Sequence, residues 1–425
     1  MADRRVVVVG AGMGGLVSAL LLAQRGLSVT VVDAASEPGG KVRRVIVDGD
    51  TCEDIISFDY VSDILAVAEE AHFVVAGSKK WRDKLKIGAS VQFIMQNAAV
   101  NGGVATVRHR GHIVHRESSV DPAEGWTISC TSADLGWSLV NSSAPIWVSL
   151  EGKTFADLVD PATSPLFDPS WGFQGVRFEG DIRRRLKMGL ALVAISAQRV
   201  LDPAHRIQTE PGDVAWDKIV EYATRINLCC NVSPDGYMCC YRPNDTAAPL
   251  YSLRLRDGDE RNNLLRARVV EDAKERYTQT EVVGDPVGWD GPVDATSPNS
   301  QRKRGKVSHP GALPFKHALA RVEPQAFQNG LAQKFAEWDY KRGMWNSFYY
   351  EASVLEHHLN GYWLDCDNVA SVEDDTNDLH GNLYVAAVRC SGNKNDGDVS
   401  SLILRMPGLL SATIEGGVPN PPIYG

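Results

Sequence analysis

The first forty residues constrain this chain more than any other stretch. Arg5-Val6-Val7-Val8-Val9 is a short β-branched run, followed by Gly10-Ala11-Gly12-Met13-Gly14-Gly15. Leu16 to Gln24 has helical character and is closed by Gly26, and a second β-branched run, Ser28 to Val32, ends on Asp33. Strand, glycine turn, helix, strand and acid in this order form the opening βαβ unit of a dinucleotide-binding domain. Gly10 permits the tight turn, Gly12 lets the backbone approach a pyrophosphate, and Gly15 lets the helix pack closely on the sheet. The helix start, with Met13 and Gly14, turns its free N–H groups and positive dipole end toward the phosphates. Asp33 is placed to accept a hydrogen bond from a ribose hydroxyl. Glycines alone also mark ordinary turns; here the strands, the helix and the acid agree.

The next residues narrow the choice of nucleotide. Glu37-Pro38-Gly39-Gly40-Lys41-Val42-Arg43 places a second glycine pair just past the ribose acid. FAD-binding oxidoreductases set such a pair against the cofactor, which adds Gly39, Gly40, Lys41 and Arg43 to the candidate cofactor-binding residues. The stretch from Val6 to Asp48 resembles the phytoene desaturase (carotenoid desaturase) branch of the amine-oxidase-like flavoproteins. The resemblance rests on Gly10-Ala11-Gly12-Met13-Gly14-Gly15-Leu16 and Pro38-Gly39-Gly40-Lys41.

This resemblance implies an α/β fold: a Rossmann-like FAD-binding domain with a mixed α+β substrate domain. It also implies FAD as cofactor and an enzyme of carotenoid biosynthesis, dehydrogenating (desaturating) an apolar isoprenoid or carotenoid-like substrate by hydride transfer to flavin. An amine oxidase, an aromatic monooxygenase, and a non-catalytic binding module that keeps the flavoprotein fold stay open as alternatives. No residue stands out as catalytic. The chain departs from the family at Thr51-Cys52-Glu53-Asp54-Ile55, where a Gly-Pro segment would line the flavin, and at Cys390-Ser391-Gly392-Asn393.

The expected division is a first part of the FAD domain over 1–60, mixed segments over 61–375 with a loop or linker at 283–314, and a return to the FAD domain over 376–425. Within that return, Gly381 to Ala387 reads as a strand and Val399 to Ala412 as a helix-like run, the element that covers the flavin end in the resembled family.

A hydrophobic content of 44% with 23% charged residues describes an ordinary soluble globular chain. The net charge of −9 argues against a nucleic-acid partner. No run approaches the ~18 apolar residues of a transmembrane helix. The expected setting is cytoplasmic, and the lipid-dissolved substrates of the resembled family leave room for peripheral membrane contact. Eight cysteines are too few for a disulfide scaffold. Cys229-Cys230 and Cys239-Cys240 read as a hairpin with thiols on both strands around Asp235-Gly236. Adjacent cysteines lack the gap that converges two sulfurs on one zinc, so no metal is expected.

Periodicity predicts helices over Tyr60–His72, Ile182–Val200, Trp216–Ile226, Pro324–Arg342 and Asn346–Leu359. It predicts strands at Ser90–Ile94, Val104–Arg116 and Trp126–Cys130. His109, His112 and His115 fall on such a strand, where their spacing divides them between faces and favours solvated side chains over a metal site.

Overall fold

The computed structural model describes residues 5–9, 13–32, 42–52, 54–66, 68–97, 99–122, 125–145, 149, 155–162, 164, 166–167, 173–178, 209–225, 229–284, 304–323, 329–393 and 397–410. The expected helix over Ile182–Val200 lies outside these residues.

The amino-terminal unit forms as the sequence indicates: β1 (Arg5–Val9), α1 (Met13–Gln24) and β2 (Ser28–Val32). The two strands pair in parallel, with Arg5 opposite Ser28 and Val9 opposite Val32. Gly26, at φ 78°, takes the left-handed conformation that ends the helix. Its N–H donates to the Ala23 carbonyl at 2.9 Å and that of Leu27 to the Leu22 carbonyl at 3.3 Å, a Schellman closure.

From Val42 onward the chain is mainly strand. First come β3 (Val42–Val47), β4 (Asp50–Cys52), β5 (Ile55–Asp63), β6 (Glu70–Ala76), α2 (Lys79–Lys84), β7 (Ser90–Gln96), β8 (Thr106–Asp121) and β9 (Gly125–Ala133). A smaller module follows, with α3 (Gly136–Asn141), α4 (Phe155–Val159), β10 (Gly175–Phe178), α5 (Ala215–Arg225), β11 (Cys229–Val232) and β12 (Tyr237–Tyr241). Next are β13 (Tyr251–Leu255) and β14 (Leu264–Glu271), then a three-stranded sheet of β15 (Gln279–Gly284), β16 (Arg304–Ser308) and β17 (Ala318–Glu323). Helix α6 (Asn329–Ser347) covers that sheet through Ala332 and Ala336, packed on Val282. The chain closes with β18 (Phe348–Leu355), β19 (His358–Leu359), β20 (Tyr362–Trp363), β21 (Asn368–Asp374), β22 (Leu379–Asn393) and β23 (Gly397–Arg405).

Thirteen strands join one sheet in the order β14-β18-β23-β22-β5-β6-β9-β8-β7-β3-β4, with β21 on β22 and β13 on β21. This corrects the expected α/β architecture. Apart from β13 beside β21, the pairings of this sheet are antiparallel, built from hairpins and returns rather than helical crossovers. The parallel βαβ pattern stops at β2.

Three expected helices are strands, each for a local reason. In Tyr60–His72 the apolar cluster that mimics helical spacing sits at a turn. Asp63 accepts from the Leu65 N–H at 2.9 Å, and Ile64 points inward while Leu65 is exposed. On either side the buried residues alternate: Phe58, Tyr60 and Ser62, then Ala71, Phe73 and Val75. Asn346–Leu359 is instead the end of α6 followed by β18, where Phe348, Tyr350, Ala352 and Val354 are buried with period two. Val399 onward is β23, paired with β18 and β22. The expected helix at Trp216–Ile226 forms as α5, and the 90–94, 104–116 and 126–130 strands form as β7, β8 and β9.

The main hydrophobic core gathers Tyr60, Phe73, Phe93, Tyr251, Tyr350, Tyr384 and their neighbours beneath the large sheet. A second core, with Leu139, Leu158, Phe173, Trp216 and Ile219, belongs to the small module. The hairpin β11–β12 serves both. Cys239 and Tyr241 pack in the first core, and Cys230, Val232, Met238 and Cys240 in the second.

Gly111 on β8 is required by close approach. A Cβ there would lie 2.1 Å from the Ala133 carbonyl oxygen on β9. Gly111→Ala should therefore lower stability by about 1–3 kcal/mol, the usual cost of overpacking. An unchanged urea midpoint would contradict that placement.

Candidate dinucleotide-binding segment

The structure places Met13, Gly14 and Gly15 in the first turn of α1, directly after β1. Their N–H groups are among those a helix leaves without intrahelical partners, so the backbone can receive a phosphate. Gly10, Gly12, Asp33, Gly39, Gly40 and Lys41 lie outside the described residues. Arg43 lies on β3, whose register sets it opposite Met95 on β7 in the large sheet.

This arrangement suits the pyrophosphate end of a dinucleotide. Among the described residues no third strand joins β1 and β2. Val7, Leu20, Leu21 and Val32 are exposed, with Val7 at 60% and Leu20 at 58%. Both strands are valine-rich, as expected for strands covered on two faces, yet part of that surface is open. The segment 376–410 carries β22 and β23, which hydrogen-bond to β5, β18 and β21.

The family described as NAD(P)-binding Rossmann-like domain matches residues 8–73. Hydroxyneurosporene desaturase of Rubrivivax gelatinosus is 67% identical over 49 residues, 12% of this chain and 9% of that protein. The zeta-carotene-forming phytoene desaturase of Myxococcus xanthus is 52% identical over 48 residues, 11% of this chain and 9% of that protein. The amino-terminal segment is carotenoid-desaturase-like. The chain spans about a tenth of the length of these curated relatives.

The solved structures point to a different fold for most of the chain. A tail protein from Neisseria meningitidis MC58 superposes with a TM-score of 0.68 at 19% identity, over 88% of this chain and 98% of that one. The 43 kDa tail protein of prophage MuSo2 from Shewanella oneidensis gives a TM-score of 0.66 at 15% identity, over 87% and 99%. The chain therefore shares the fold of these tail proteins, which overturns the Rossmann-plus-substrate-domain expectation. The Rossmann family match extends to residue 73, but from residue 42 its span is occupied by β3 to β6 of the large sheet.

The chemistry-bearing side chains that the sequence did not single out lie inside the large-sheet body. Arg108 and Asp365 form an ion pair at 3.2 Å with both side chains almost wholly buried. Arg108 also donates to the Leu364 carbonyl at 2.9 Å. Ser62 donates to Glu69 at 2.8 Å, and Asp134 accepts from the Glu69 and Gly136 N–H groups at 3.1 and 2.8 Å. Tyr251 donates to the Trp363 carbonyl and Tyr384 to Asp367, each at 2.8 Å. Burial pushes both phenols above their ordinary range, and the carboxylates of Asp365 and Asp367 beside them add to it. They remain protonated donors. This network ties the loop at 363–368 to strands far away in sequence.

Of the three histidines on β8, His112 and His115 are exposed and His109 is buried, so they do not converge. The His109 Nε2 lies 3.0 Å from the Ser132 hydroxyl, and burial holds its pKa down to about 3.

Asp365→Ala should cost about 3–5 kcal/mol because it removes the carboxylate paired with a buried guanidinium; chemical denaturation measures this, and a neutral effect would contradict the pair. His109 sets a pH dependence. The unfolded imidazole takes a proton near 6.5 while the folded one stays neutral until about 3. The unfolded state thus binds more protons in that window, and stability falls as pH drops through it. His109→Gln should flatten the fall between pH 6.5 and 4.5, read from urea midpoints, whereas parallel profiles would contradict a buried neutral imidazole.

Proposed function

We propose that the β-rich body of this chain is a structural component of a phage-tail-like assembly. One observation carries this reading: the shared fold spans 98% of the Neisseria tail protein, whereas the desaturase similarity spans 9% of the desaturase. The test is immunogold electron microscopy of particles from the strain that carries the gene. Label on tail-like particles supports the proposal. A protein confined to the soluble fraction and carrying stoichiometric FAD overturns it.

A second reading rests on the 67% identity over 49 residues. On it, the amino-terminal segment binds FAD and the chain works as an FAD-dependent oxidoreductase that desaturates an apolar isoprenoid. The N–H groups at the start of α1 would hold the pyrophosphate, and FAD, when bound, would supply the redox chemistry. The purified chain would then be yellow and release FAD on heating, and Gly12→Val would abolish retention. A colourless chain that takes up no added FAD, or a Gly12→Val chain that keeps it, overturns this second reading.

A further inference from the structure

The hairpin β11–β12 sits at the seam between the two cores, and its register sets Cys230 opposite Cys240, Asn231 opposite Cys239 and Cys229 opposite Tyr241. The Ser233 N–H donates to the Tyr237 carbonyl at 2.9 Å, which marks that pair as a hydrogen-bonded one. Pair types alternate along an antiparallel ladder. Val232 with Met238 is therefore non-hydrogen-bonded, Asn231 with Cys239 hydrogen-bonded, and Cys230 with Cys240 non-hydrogen-bonded. In non-hydrogen-bonded pairs the Cα atoms approach to about 4.5 Å and the side chains lie closest. The separation falls within the range a disulfide spans without backbone movement. The two Sγ atoms are 3.5 Å apart. Both cysteines are buried on the small-module face of the hairpin.

We propose that Cys230 and Cys240 are a cross-strand disulfide pair, and that their oxidation locks the hairpin shared by the two cores. Two Sγ–H bonds break and one Sγ–Sγ bond forms. The two electrons and two protons pass to a small-molecule disulfide such as oxidised glutathione, which leaves as two thiols after a mixed-disulfide intermediate. Burial pushes the Cys240 thiol well above its ordinary value, with Cys230 beside it adding to the shift. Thiolate is scarce at neutral pH, so the reaction speeds up as pH rises. Cys239 packs in the main core on the opposite face and is set across from Asn231.

The full chain is incubated with oxidised glutathione, free thiols are alkylated, and the protein is cleaved before Asp235 without reductant. The chain should lose two of its eight free thiols, and its thermal midpoint should rise and return when reductant is added. In a Cys229→Ala/Cys239→Ala variant the pieces bearing Cys230 and Cys240 should stay joined until reductant separates them. In a Cys230→Ala/Cys240→Ala variant the pieces should separate at once. A wild-type chain that keeps all its thiols, a bond that forms between other cysteines, or pieces that stay joined in the Cys230→Ala/Cys240→Ala variant would overturn the proposal.

Discussion

The large sheet depends on the backbone hydrogen bonds of β22. This strand pairs with β23 along one edge from Tyr384 to Asn393, while β21 and then β5 share its other edge. The change of neighbour coincides with a register shift between Val385 and Ala387, where the Ile64 N–H donates to the Ala386 carbonyl at 3.0 Å. A bulge at this point lets one strand serve two sets of partners. It also brings the end of the chain against β5, which begins about fifty residues from the start. The buried pairs Arg108–Asp365 and Tyr384–Asp367 then hold the loop preceding β21 against both halves of the sheet.

The amino-terminal unit stands under another constraint. Its two parallel strands and helix obey local rules, so they form from their own sequence. Among the described residues its parallel sheet has two strands, and Val7, Leu20, Leu21 and Val32 of the unit are exposed. The chain thus joins a desaturase-like segment to a body with the fold of tail proteins.

What could be read from the sequence follows the same division. Helix α1 and its closure at Gly26 were legible because helix start and closure signals are local, and so was the Asp235-Gly236 hairpin. The strands at Tyr60, Phe348 and Val399 were not. A strand whose neighbours bury it, or an apolar cluster at a turn, shows the same short apolar run as a buried helix. The Arg108–Asp365 pair spans 257 positions, and nothing local marks either residue as the other's partner. Of the candidate site, the sequence located the start of α1, but it could not show that Arg43 would lie on a strand of the large sheet. That outcome is decided by pairing with β7 rather than by the residues around it.

The body should fold on its own pairings, without the amino-terminal unit. The most direct measurement is the thermal unfolding of a chain lacking residues 1–41 beside the full chain. An unchanged cooperative transition with unchanged β-sheet circular dichroism is the predicted result. Loss of that transition in the shortened chain would mean that the amino-terminal unit is part of the same cooperative structure, and would contradict the account.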